Sequence, residues 1–135
     1  MSDISIPPKI WQDFLQAFSE HHTGRPVQIE THDTETDEAV VSQVSALHSI
    51  ELDLEDEKNP RINVIVLYDT KEIKHILFRP SQLTLHISEQ DGNDSIRIRS
   101  LNTDTTIQMR GAKKLDMRNM LKTLNRLDIA RDEAA

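Results

Sequence analysis

The feature that most constrains this chain is a two-residue alternation of apolar and polar side chains between residues 75 and 109, interrupted by three turn signals. Taking Arg79-Pro80-Ser81-Gln82 as a four-residue loop sets Phe78 opposite Leu83, Ile76 opposite Leu85 and His75 opposite His86. Centring the next turn on Asp91-Gly92 brings Leu85 to Ile98 and Ile87 to Ile96. Centring the third on Asn102-Thr103 brings Ile98 to Ile107 and Ile96 to Met109. All three assignments place Ile76, Phe78, Leu83, Leu85, Ile87, Ile96, Ile98, Ile107 and Met109 on one side of a sheet. A one-residue slip at any turn would move a whole strand to the other side, so the agreement is informative.

A sheet that is apolar on one side needs a cover. The chain supplies one in Ile6–Gly24, where Trp11, Phe14, Leu15 and Phe18 fall at i, i+3, i+4 and i+7. Those residues include three of the five aromatic side chains in the protein and its one Trp. Pro7 and Pro8 suit a helix start, and Gly24 followed by Pro26 suits its end. Burying three rings contributes very roughly 1.5–3 kcal/mol each, so the helix is expected to dock on the apolar side of the sheet.

Between these two regions the pattern is weaker. Val27–Glu30 alternates like a short strand, His32–Glu38 reads as an acidic loop, and Ala39–Val41 reads as another short strand. Ile50, Leu52 and Leu54 share one face of a further strand, with Glu51, Asp53 and Glu55 on the other. Arg61–Tyr68 is almost continuously apolar and β-branched, which predicts a strand covered on both sides. From Lys113 to about Arg126 a second amphipathic helix is expected, with Met117, Met120, Leu121 and Leu124 on its apolar stripe and Lys114, Arg118, Lys122 and Arg126 on a basic one. The expected fold is therefore α+β: a curved antiparallel meander of about six to seven strands, with a barrel-like closure as its main variant, an N-terminal helix packed on it and a C-terminal amphipathic helix. Residues 1–110 are expected to form the helix-and-sheet domain, and 111–135 the terminal helix and frayed tail, either part of the same domain or an interaction segment.

Composition narrows function by exclusion. A net charge of −7 over 135 residues opposes a general nucleic-acid role, which needs a clustered cationic face. With no cysteine there is no disulfide, thiol catalysis or thiolate metal site. The start Met-Ser-Asp-Ile-Ser lacks the basic and apolar regions of a secretion signal, and no apolar run approaches the ~20 residues of a membrane span. A cytoplasmic protein is the default expectation. No nucleophile elbow, zinc-protease motif, phosphate loop or dinucleotide fingerprint is present, so no catalytic residue and no cofactor is assigned.

Four constellations remain. His75 and His86, paired by the register above, share the polar sheet face with Arg97 and Arg99, near Thr84 and Gln108. Two imidazoles without a third ligand make a poor zinc site, whereas beside two guanidinium groups they suit a small anion or a partner's carboxylates. The plainer reading is a solvated polar face. Glu51, Asp53 and Glu55 invite a divalent cation, but charges along a strand more often keep an exposed edge from aggregating. His21 and His22 at the end of the first helix read as cations favoured by the helix dipole. The basic stripe Lys114, Arg118, Lys122 and Arg126 faces a chain whose acid lies elsewhere: ten Asp/Glu and one Lys between Gln28 and Pro60, against six Lys/Arg and one Asp between Arg110 and Arg126. Such a stripe could touch an anionic membrane or an acidic partner, but it is narrow and no Trp or Phe accompanies it to enter lipid, so docking on the chain's own sheet or on a second copy is the favoured reading.

The pattern Trp11-x-x-Phe14-Leu15-x-x-Phe18-Ser19-x-x-His22-x-Gly24, followed by Val27-x-Ile29-Glu30, resembles a family of small uncharacterised bacterial proteins described as a domain of unknown function. His75-Ile76, Pro80, Leu83-x-Leu85, the Ile96/Ile98/Ser100 strand and the hairpin closing at Thr106 extend the resemblance, which runs from Ile6 to Met109. It departs at Asn102-Thr103-Asp104, where members usually carry a Gly, and Leu115–Arg131 lies outside it. The family brings no activity, so no functional residue is carried over. Together these readings favour a non-enzymatic binding or adaptor module acting through protein contacts. The alternative is a small anionic-ligand-binding or enzymatic domain built on His75, His86, Arg97 and Arg99.

Overall fold

The computed structural model describes residues 2–87 and 94–110. Within them the chain forms β1 (Ser2–Ser5), a 3₁₀ turn (Pro8–Ile10), α1 (Trp11–His22), β2 (Pro26–Asp33), β3 (Ala39–Val41), β4 (Ser45–Asp53), β5 (Arg61–Tyr68), β6 (Lys71–Phe78), β7 (Gln82–Ile87), β8 (Ser95–Ser100) and β9 (Thr103–Met109). The described strands make one sheet in the order β1-β7-β8-β9-β2-β4-β5-β6, with β3 beside β2, and every ladder is antiparallel. The expected α+β class and antiparallel sheet are present. Among the described residues nine strands stand where six to seven are expected; β1, which pairs with β7, is the strand the sequence pattern does not offer. The expected terminal helix lies outside the described residues.

The sheet curls without closing. β6 and β7 stand near opposite ends of the strand order, yet only Arg79-Pro80-Ser81 joins them. One corner is therefore drawn together, and Leu101 N–H donates to Phe78 O across it at 2.9 Å. The end strands β1 and β6 do not pair, so the sheet is not a closed barrel.

Helix α1 lies where the sequence places it. Trp11, Phe14, Leu15 and Phe18 are buried, and the core they enter contains Leu83, Leu85, Ile87, Ile96, Ile98, Ile107 and Met109, all on one face. Trp11 Nε1 donates to Ile6 O at 2.7 Å, which satisfies the indole inside that core. Gly24 ends the helix with φ +86°, a conformation in which a side chain would be strained.

Three register assignments need correction. Leu85 faces Ile96 rather than Ile98, and Ile96 faces Ile107 rather than Met109. The β8–β9 loop is Leu101-Asn102, with Asn102 at φ 60°, one residue earlier than expected. Moving a turn centre by one residue shifts its pairing by two, which preserves every face, so the inward set from β7 to β9 survives. The Asp91-Gly92 turn lies outside the described residues. The third correction changes faces: β6 pairs with β5, not β7. The two-residue loop Asp69-Thr70, with φ of 50° and 66°, has the left-handed geometry of a tight hairpin turn without glycine or asparagine. Leu77 consequently points into the core, while Ile76 and Phe78 are exposed.

Candidate functional site

Two surfaces follow from this topology. On the outer face of β1, β7, β8 and β9 the cross-strand rows are polar: Asp3–His86–Ser95–Gln108, then Ser5–Thr84–Arg97–Thr106, then Gln82–Arg99–Asp104. All of these but Ser5 and Gln108 line a shallow cavity of about 460 Å³. Three of the four side chains proposed from sequence, His86, Arg97 and Arg99, meet there. His75 does not. It faces Val64 on β5, half-buried on the inner face, and burial lowers its pKa.

The charges in the cavity are already matched. Arg97 Nε donates to both carboxylate oxygens of Asp104, at 2.9 and 3.0 Å, and Arg97 Nη2 also bonds Oδ2. Asp104 is almost wholly buried, and the Arg97 hydrogen bonds, with the charges of Arg97 and Arg99, hold its carboxyl below the usual range against the cost of desolvation. His86 Nδ1 lies 2.5 Å from Asp3 Oδ1. Arg99 is the least committed cation: Nη2 stands 3.9 Å from Asp104, and the side chain is 54% exposed. Sequence reasoning missed Asp3 and Asp104. Asp104 was legible in principle, because the loop centred one residue earlier sets it directly opposite Arg99.

The second surface is the outer face of β5 and β6. In an antiparallel pair, opposed residues share a face, so Ile76 and Phe78 stand outward with Asn63 and Arg61. Phe78 is 52% exposed, Ile76 39% and Leu101, whose amide bonds Phe78 O, 55%. β5 is covered on both sides only through its middle: Ile62, Asn63, Val64 and Val66 are buried and Ile65 is half-buried, whereas Leu67 and Tyr68 at its end are exposed. The neighbouring acids are partly paired, since Asp53 accepts from Arg61 at 3.0 Å and Asn63 at 3.5 Å. Among the described residues no three His, Asp or Glu side chains converge as metal ligands. Lys114, Arg118, Lys122 and Arg126 lie outside the described residues.

Two polar residues on the apolar stripe of α1 organise the neighbourhood of β4. Ser19 and His22 extend the Leu15/Phe18 face by one turn, the signal that would have marked them as buried. β2 leaves β4 after pairing only at Pro26↔Ala46 and Val27↔Ser45. Further along, Ser19 Oγ accepts from Ile50 N–H at 2.8 Å, and its hydroxyl is directed between Leu15 O at 2.7 Å and Ile50 O at 3.2 Å. The helix thus replaces a missing strand neighbour. A bulge at His48 puts Leu47 and Ile50 on the same inner face. His22 is not the exposed cation expected from the helix dipole. It is fully buried against Phe18, with ring centroids 4.3 Å apart, and desolvation, then the charge of Arg25, lowers its pKa to about 4. Arg25 Nη1 lies 3.1 Å from Nδ1 and can only donate, so the ring proton sits on Nε2, which has no partner among the described residues.

No family model matches this chain, and no curated protein or solved structure matches it. No helix among the described residues is long and apolar enough to cross a membrane.

Proposed function

We propose that this protein is a non-enzymatic binding module that acts through protein contacts, with the outer surface around Ile76, Phe78 and Leu101 as its contact patch. The observation that carries the reading is the side-by-side exposure of those three large apolar residues, tied by the Leu101–Phe78 backbone bond. The ion pair of Arg97 with Asp104 and the hydrogen bond between His86 and Asp3 weigh against the polar cavity as a reaction centre, because these groups already satisfy one another. Membership of the small bacterial family, a cytoplasmic site of action and the absence of a nucleic-acid role belong to the same proposal.

Affinity capture from lysate with wild type, Phe78→Ser/Leu101→Ser and Arg99→Ala tests it. The patch variant should lose the partner that wild type and Arg99→Ala retain, at unchanged thermal stability. Retention of the same partner by the patch variant would refute the patch. Loss only on charge reversal at Lys114, Arg118, Lys122 and Arg126 would move the contact to the terminal segment.

One observation favours a second reading. The half-exposed Arg99 guanidinium opens onto the cavity that His86 lines two rows away, a setting for a carboxylate or phosphate. Amide shift perturbation by inorganic phosphate or succinate, abolished in Arg99→Ala, would support it. No perturbation at β7 or β8 would end it.

A further inference from the structure

We infer that two copies of this chain pair edge to edge through β6, antiparallel, with the two-fold axis at Ile73.

The direction of each backbone group on β6 follows from its hairpin. Tyr68 and Lys71 flank a two-residue loop and are therefore a hydrogen-bonded pair, as are Val66/Ile73, Val64/His75 and Ile62/Leu77 by alternation. Glu72, Lys74 and Ile76 then turn their N–H and C=O groups away from β5, and β6 has no other strand beside it among the described residues. Phe78 shows that this outward row takes partners: its carbonyl accepts Leu101 N–H from another part of the chain. That contact also blocks the far end, leaving Lys71–His75 as the accessible edge.

Charges on an edge strand ordinarily discourage pairing. Here their order selects one register. A continuous sheet requires opposed residues to share a face, and outward-turned groups must meet outward-turned groups. A two-fold axis at Lys74 would oppose lysine to lysine. An axis at His75 would bring Glu72 against Phe78, where Leu101 already sits. An axis at Ile73 opposes Glu72 to Lys74 of the second copy, twice by symmetry, on the outer face. It also sets Ile73 against its own equivalent on the inner face. Ile73 is 39% exposed at the open margin of the core, so the pairing continues that core across the axis. The contact is isologous and closes on itself, which gives a dimer and not a filament. It uses neither Phe78 nor Leu101, so it stands or falls independently of the proposed contact patch.

Sedimentation velocity across a dilution series, combined with charge exchange, tests the pairing on the full chain. Wild type should show a monomer–dimer equilibrium. Glu72→Lys or Lys74→Glu alone should weaken the dimer roughly tenfold, since each opposes like charges twice. The combined Glu72→Lys/Lys74→Glu variant should restore it. The natural chain has no cysteine, so Ile73→Cys in a mild oxidant should form a covalent dimer, whereas Ile76→Cys should not. A wild type that stays monomeric at every concentration would overturn the inference. So would a dimer indifferent to both charge reversals, or one that the double exchange fails to restore.

Discussion

The two halves of the sheet obey the same alternation but leave very different outer faces. Across β7, β8 and β9 every outward position is polar or charged, and the charges meet partners on the next strand, as Arg97 meets Asp104. Across β5 and β6 the outward positions mix Asn63 and Lys74 with Ile65, Leu67, Ile76 and Phe78. The first half shows how polar outward residues specify a unique register. The second shows what a strand pair looks like when stability does not dictate its outer residues: several large side chains stay in contact with solvent.

The inner faces should dominate any mutational contrast between the halves. Ile107→Ala removes a side chain with no solvent exposure and should cost about 3–4 kcal/mol in urea unfolding, transfer and cavity terms together. A cost near 1 kcal/mol would mean that the β8–β9 core is looser than described.

Below that in size comes a pH effect at the seam between the halves. His22 is neutral and buried in the folded protein, with a pKa near 4 against 6.5 for the free side chain. The unfolded chain therefore binds more protons between those values. Its contribution is complete above pH 6.5 and is lost as pH falls toward 4, roughly 2–3 kcal/mol over the window. The four aspartates whose pKa is lowered from 3.8 (Asp33, Asp53, Asp56 and Asp104) exchange protons below that window. His75 shifts in the same direction as His22. The difference between wild type and His22→Leu isolates the His22 part. Parallel stability curves for the two proteins would show that His22 is charged in the fold.

Ser19→Ala probes the same seam from the side of β4. Ile50 N–H would lose its acceptor in a buried setting, at about 2 kcal/mol. Ser19→Thr, which keeps the hydroxyl, should recover part of it. The smallest expected effect belongs to the outer patch, where Phe78→Ser should change stability by no more than about 0.5 kcal/mol. A loss comparable to that of Ile107→Ala would erase the distinction between the two outer faces.

Legibility in the sequence follows the same division. In β7, β8 and β9 apolar and polar residues alternate strictly, so even a misplaced turn left Leu83, Leu85, Ile96 and Ile98 on the buried side. In β6 the run Ile76-Leu77-Phe78 is apolar at both parities, and alternation alone cannot say which residues face inward. The deciding information was the Asp69-Thr70 hairpin, whose second positive φ falls on β-branched Thr70, a residue type that seldom adopts it. In the candidate site, the Arg97/Arg99/His86 grouping came from parity and survived. The His75 pairing came from the assumed β6–β7 hairpin and did not. His22 reads as a dipole cap and Ser19 is given no role by the sequence, although their spacing from Leu15 and Phe18 sets both on the apolar stripe.

Amide hydrogen exchange along β6, at dilutions where the chain is monomeric, tests the two-faced sheet most directly. The account predicts alternation: slow exchange at Ile73, His75 and Leu77, whose amides face β5, and fast exchange at Glu72, Lys74 and Ile76, which face outward. Uniform protection along the strand, or protection with the opposite parity, would contradict it.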